Sequence, residues 1–469
     1  MVFSSMTFVP LFLPLVFLLY YVFRSIKVRN AILLAFSVLF YAWGEPKWIF
    51  VMLLTVTVNY FCGLMIDRSE SKLKRTTYMI AGVALSLGFL FYFKYFGFFS
   101  DIFTGLAGVE NPFTRPVLPI GISFYTFQVL TYTVDVYRGK VPVQKSYAKL
   151  LLYVSFFPQL IAGPIVNYTD IAASLDERRA DANDIYQGFM RFFIGFAKKV
   201  LLANTCGIVT DELMAAGQLS FAGSWLMAVA YAFQIYFDFS GYSDMAIGMG
   251  RIFGFHFFEN FNYPYISQSV TEFWRRWHIS LGTFFRDYVY IPLGGNRVSR
   301  WKNIRNIMIV WLLTGFWHGA SWNFMAWGIY YGLLLLMEKF LLKDVKKKLP
   351  KAVNLLATLI LVMIGWVLFY YENLSDGLNH LGIMFGFVQV DLCDPAAVYY
   401  FKHNLLFLVA AMLASVPWKM VLDRLPIFRS NGVKQIGYYL KPLAVTVLFL
   451  LSMGMIVTQS YNPFLYFRF

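Results

Sequence analysis

Two histidines in apolar company are the side chains of this sequence best placed to do chemistry. His278 closes the run Trp-Arg-Arg-Trp-His, and His318 sits in Phe-Trp-His-Gly. An ionisable group held in hydrocarbon costs roughly 2.5–3.5 kcal/mol on insertion scales, so a histidine at membrane depth is a functional-site candidate. A neutral imidazole, with a pKa near the operating pH, can remove the proton of an attacking hydroxyl. If the span that holds His318 starts near Asn306, the ring lies about 18 Å along it at 1.5 Å per residue, near mid-bilayer. Trp317 and Trp322 flank it and Gly319 follows, which predicts an aromatic-walled site with room for a substrate. A structural histidine bonded to a neighbouring helix is the alternative.

His278 falls in a segment whose period predicts one amphipathic helix over residues 271–290. Arg275, Arg276, Arg286 and Asp287 fall on one face, Phe273, Trp277, Leu281, Phe284 and Tyr288 on the other, and His278 on the border. Such a helix either lies at a membrane surface or dips inward, aiming His278 at a site while its arginines meet an anionic ligand. A third constellation places Gln234, Tyr236, Asp238 and Ser240 within one apolar segment. Asp238 would be expensive if unpaired, so it either orients a catalytic histidine or ties helices together. There is no nucleotide-binding glycine loop, GxSxG elbow, HExxH or EF-hand, which removes support for ATP-driven pumping, in-chain serine hydrolysis and metal catalysis. Cys62, Cys206 and Cys393 show no CxxC spacing and read as small buried hydrophobes, so neither a metal site nor a disulfide framework is expected.

The elements that must position these groups are membrane spans. With 59% hydrophobic and only 14% charged residues the chain cannot be a water-soluble globule. Near-continuous apolar runs, not alternating ones, select helices over a barrel. The formal charge of +15 would suggest nucleic acid in a soluble protein, yet the Lys and Arg residues cluster in short loops and so report topology. Residues 68–75 and 339–351 are placed in the cytoplasm on this rule, and the N-terminus and the acidic segment 372–394 outside. The first apolar run, 6–23, is expected to be a retained span and not a signal peptide. Further spans are expected near 31–43, 48–66 and 78–96, an outer loop at 98–117, a wetter re-entry at 119–137, and simple spans near 302–318, 320–342, 355–371, 405–421 and 443–458. The chain divides into N-terminal spans (1–117), a catalytic core (118–330) and C-terminal spans (331–469).

Six words of the sequence, together with its ending, resemble the membrane-bound O-acyltransferase family, and within it the bacterial alginate O-acetylation branch. They are Val2-Phe-Ser-Ser, Pro119-Ile-Gly-Ile-Ser-Phe-Tyr-Thr-Phe-Gln, Phe157-Pro-Gln-Leu-Ile-Ala-Gly-Pro-Ile, Gln234-Ile-Tyr-Phe-Asp-Phe-Ser-Gly-Tyr-Ser-Asp, Glu272-Phe-Trp-Arg-Arg-Trp-His-Ile-Ser-Leu and Phe316-Trp-His-Gly, with the closing Tyr461-Asn-Pro-Phe-Leu-Tyr-Phe-Arg-Phe. The resemblance implies an all-α polytopic fold, a ring of about 11 transmembrane helices around re-entrant helices with a central funnel or tunnel. It makes His318 the active-site histidine and His278 the upstream His or Asn that orients or stabilises the acyl group. It implies acetyl-CoA as donor with no permanently bound cofactor, and a bacterial inner-membrane location among membrane lipid; Arg275, Arg276 and Arg286 either attract the CoA phosphates or serve as positive-inside anchors. An SGNH-type extracytoplasmic partner would complete transfer to a polysaccharide such as alginate, cellulose, another exopolysaccharide or peptidoglycan. D-alanyl transfer to teichoic acid, a transporter or flippase, and a noncatalytic export scaffold are the alternatives.

Overall fold

An apolar segment in lipid must satisfy its own backbone, and this chain does so with helices throughout. The computed structural model describes residues 2–161, 163–426, 430–458 and 464–465, and contains no strand among them. Of the closing word at 461–469 only Phe464 and Leu465 are described, and Ala162 of the Phe157 word also lies outside the described residues. Seven helices among the described residues are long and apolar enough to cross a membrane: Ile26–Gly44, Ile49–Arg68, Lys72–Ala107, Ala182–Ala215, Lys351–Tyr370, Pro395–Ala414 and Asn431–Thr458. The protein is an all-α, multi-pass membrane protein. The resemblance implied about 11 spans; Phe8–Val22 is shorter than these seven, Arg300–His318 carries Arg300, Lys302 and Arg305 and is more polar, and His278 lies between two seven-residue helices.

Two element boundaries and one burial reading illustrate where the structure differs from the sequence reading. The outer loop expected from residue 98 is helical as far as Ala107, where Gly108 turns left-handed at φ 67° and ends the helix. The last span begins at Asn431, not near 443, and runs through Pro442. Cys206 is buried and Cys62 half-buried, but Cys393 is exposed, because it lies in the loop that leads to Pro395–Ala414.

The described chain forms two compact units, one of Met1–Phe192 with Met245–Phe258 and one of Phe193–Asp244 with Glu259–Phe469. In the first, helix Ile122–Tyr137 packs on Ile49–Arg68 and Lys72–Leu90 and is buried along almost its whole length. That explains its wet composition. Thr133 donates to Asn59 Oδ1 at 2.6 Å and Asn59 donates to Ser86 at 2.7 Å, so its polar groups face protein and not lipid.

The second unit holds both histidines. Helices Arg300–His318 and Trp322–Phe340 form a hairpin. The two meet backbone to backbone at Gly315 and Gly328: a Cβ on Gly315 would lie 2.2 Å from the Phe324 carbonyl oxygen, and one on Gly328 would lie 2.4 Å from that of Trp311. Any larger residue at either position would push the hairpin apart and move His318 with it.

Candidate active site

His318 is the last residue of its helix. The helix starts at Arg300, earlier than the Asn306 start taken from the sequence, so His318 lies about 27 Å along it from Arg300. The imidazole is 3% exposed. Aromatic rings enclose it: Trp317 at 4.9 Å, Trp327 at 5.1 Å and Phe369 at 5.1 Å between centroids, with Phe324 stacked at 6.4 Å. Gly319 is required sterically, since a Cβ there would lie 2.2 Å from the Phe324 ring.

His278 departs from the sequence reading. The single helix expected over 271–290 is broken into Val270–Arg276 and Ile279–Phe285, with His278 between them in the left-handed region at φ 45°. That conformation is uncommon for a residue with a Cβ and costs of order 1–3 kcal/mol. Long-range hydrogen bonds hold it, which periodicity does not report. Asn262 N–H donates to the Arg276 carbonyl at 2.9 Å, and Ile279 N–H to the Asn260 carbonyl at 3.0 Å. The buried Asn260 side chain meets His278 Nδ1 at 3.2 Å, and its Oδ1 also accepts from Ser280 N–H at 3.1 Å and Ser280 Oγ at 2.9 Å.

The break turns His278 inward. Its ring packs edge-on to Phe239 at 4.6 Å and lies 5.9 Å from Trp317, which also contacts His318. One indole therefore touches both histidines. A cavity of about 190 Å³ is lined by His278, Trp274, Trp277, Trp311, Thr314 and Arg286, among others. Thr314 stands one helical turn before His318 on the same helix. The indole N–H of Trp274 is buried with no hydrogen-bond partner among the described residues, an orphan donor on a cavity wall.

The arginines separate. Arg286 lines the cavity, pairs with Asp287 at 2.7 Å and keeps more than half of its side chain in solvent. Arg276 pairs with Glu272 at 2.9 Å and also donates to the Asn262 carbonyl. Arg275 is exposed and does not line the cavity, and Trp322 is 58% exposed.

Tyr236 packs edge-on to Phe261 and Tyr265 and tilted against Trp277, the residue before His278. Gln234 packs its amide against Gly207, and Ser240 is buried. Asp238 takes the helix-tying role: it pairs with Lys199 at 2.5 Å and accepts from Leu465 N–H at 2.7 Å. Among the described residues no three His, Cys, Asp or Glu side chains cluster so as to hold a metal.

Sequence reasoning missed Asn260 and Glu338. Glu338, on the second hairpin helix, reaches the start of Val270–Arg276, accepting from Val270 N–H at 2.7 Å, Thr271 N–H at 2.8 Å and Thr271 Oγ1 at 2.6 Å, and pairs with Lys346. It ties the His318 hairpin to the helix leading into His278. A buried-looking acid near the end of a span was the available signal. Glu338→Gln removes the charge from bonds of about 1.5–3 kcal/mol each, and is expected to lower the thermal midpoint of the purified protein by a few degrees. An unchanged melt would show that Glu338 does not tie these elements.

Comparison with known proteins follows the same residues. A model of the membrane-bound O-acyltransferase family matches residues 140–379, a range that includes both histidines and Asn260. The chain is 38% identical over 501 residues to a probable alginate O-acetylase AlgI of Azotobacter vinelandii, covering 100% of both chains. It is 32% identical to a peptidoglycan O-acetyltransferase of Helicobacter pylori, over 100% of this chain and 98% of that one. It is 32% identical to a teichoic acid D-alanyltransferase of Bacillus subtilis, over 49% of this chain and 60% of that one.

Proposed function

The chain belongs to the membrane-bound O-acyltransferase family and is an acyltransferase, and from that premise we propose that it takes acetyl from cytoplasmic acetyl-CoA and passes it across the inner membrane for O-acetylation of an extracytoplasmic polysaccharide. The observation that carries this reading is the pair of buried histidines that both contact Trp317, of which His278 lines a cavity, in a chain similar end to end to alginate O-acetylases. His318 is the general base and removes the proton of the attacking hydroxyl.

A cavity of about 190 Å³ is smaller than the roughly 300–1,000 Å³ of sites that enclose whole ligands. It accommodates the thioester end of acetyl-CoA and leaves the nucleotide outside, where the half-exposed Arg286 meets phosphate. An SGNH-type acetyltransferase on the outer side receives the group and chooses the polymer. The full-length likeness to a peptidoglycan O-acetyltransferase supports peptidoglycan as the second acceptor.

Purified protein is expected to release CoA from acetyl-CoA, faster with the partner present. Arg286→Ala is expected to weaken acetyl-CoA binding about tenfold, the scale of one charge-assisted bond. An unchanged affinity would place the phosphates elsewhere, and transport of an intact acetylated lipid without CoA release would replace transferase by flippase.

The proposed direction requires the N-terminus and residues 372–394 outside and the basic loops inside. Ser71→Cys and Lys347→Cys, in a protein lacking its native cysteines, are expected to resist an impermeant thiol reagent in sealed cells, while a cysteine in 372–394 reacts. Labelling of the first two would invert the topology.

A further inference from the structure

Asn260 determines which nitrogen of His278 carries the proton. Its Oδ1 accepts from the Ser280 backbone N–H, a group that only donates, so the atom in that position is the carbonyl oxygen. On the other side its Nδ2 donates to Ser243 Oγ at 3.2 Å, a hydroxyl that is able to accept in that sense. The same Oδ1 lies 3.2 Å from His278 Nδ1. A carbonyl oxygen has no hydrogen to give, so this bond exists only when Nδ1 is protonated. Ser280 agrees: its hydroxyl spends its hydrogen on Asn260 at 2.9 Å, and its oxygen, 3.4 Å from Nδ1, can then only accept. In the neutral ring Nε2 therefore bears the lone pair.

We infer that His278 serves the transfer as a hydrogen-bond acceptor positioned by Asn260, and that it receives the amide N–H of the pantetheine arm nearest the thioester. This rests on the acetyl-CoA reading above. An Nδ1–H imidazole cannot donate from Nε2 to the acyl carbonyl, so the orienting or stabilising role expected for His278 does not run through that oxygen. The orphan indole N–H of Trp274 lines the same cavity and is a donor suited to it. The attacking hydroxyl has one proton, which goes to His318. The remaining donor close to the reacting carbon is the amide two methylenes from the sulfur, which any pantetheine thioester carries. The left-handed turn at His278, closed by Asn260 through both backbone and side chain, presents the ring to the cavity.

The test has two readings. Protein labelled with ¹⁵N-histidine has five imidazoles, and the His278 signals are identified by their loss in His278→Asn. Wild type and Asn260→Asp are expected to show a protonated Nδ1 and an unprotonated Nε2, while Asn260→Ala loses this bias. A protonated Nε2 with bare Nδ1 in wild type would overturn the inference. For kinetics, S-acetyl-N-acetylcysteamine is compared with its N-methyl analogue, which lacks the N–H. Wild type is expected to favour the first about tenfold in kcat/KM, Asn260→Asp to keep the preference, and Asn260→Ala to lose it at normal abundance in the membrane. Equal use of the two by wild type would refute the contact. Turnover of neither thioester would count against acetyl transfer itself, while the spectrum still decides the tautomer.

Discussion

Cells whose only copy carries His318→Ala are expected to make polymer without O-acetyl groups while the protein reaches the membrane in normal amount. The imidazole is caged by Trp317, Phe324, Trp327 and Phe369, and the Phe369 ring packs on both Phe324 and Trp327 as well as on it. Removing the ring therefore leaves a walled space and does not collapse the hairpin, which is held by the Gly315–Gly328 contact and the buried Trp327. What is lost is the base. Positioned acid–base groups contribute about 10²- to 10⁴-fold, so polymer acetyl content, normalised to membrane-inserted protein, should fall by at least a hundredfold. His318→Gln, which keeps the bulk and a hydrogen bond, should fall as far. Wild-type acetyl content in either strain would remove His318 from the chemistry.

The largest effect on stability is expected at Lys199 and Asp238. Both side chains are almost completely buried, and their contact of 2.5 Å lies inside the second unit. The pair does more than neutralise itself: Lys199 sits 4.8 Å over the Phe464 ring, that ring packs edge-on to Tyr242 at 4.6 Å, and Asp238 binds Leu465 N–H. Removing one partner strands the other charge in a dry interior, at a cost of about 3–5 kcal/mol. Lys199→Met alone should melt far below wild type in detergent. Lys199→Met combined with Asp238→Asn should recover much of the loss, since no lone charge remains and the amide can still accept from Leu465. If the double variant were as unstable as the single one, packing around Lys199, and not its charge, would be the cause.

Much of this protein is legible along the chain because lipid makes local demands. An apolar run near twenty residues long has to be a helix, so the spans at 26–44, 49–68 and 351–370 follow from composition. A histidine in such company is conspicuous because its cost is high, and the words around His278 and His318 are specific enough to name the family. The boundaries that failed did so where a local rule met a non-local one. The Pro442 helix continues despite the missing N–H, and the helix expected across 271–290 obeys its hydrophobic period on both sides of a break the period cannot see.

The sequence by itself therefore determined the class, the membrane, the family and the two histidines, since each is a property of residue type and short spacing. Only the tertiary structure decided that Trp317 touches both imidazoles, that Arg286 and not Arg275 lines the cavity, that Glu338 anchors the His278 helix from 68 positions beyond Val270, and that Asp238 ties down Leu465 from 227 positions away. It also decided the sense in which His278 is held. A left-handed turn at a residue with a Cβ is locally unfavourable, and no pattern along 271–290 encodes it. It exists because Asn260, 18 positions earlier, folds back to satisfy the backbone and the ring together. Hydrogen bonds between groups far apart in the chain depend on where the fold brings them, and that information is in no single stretch of the sequence.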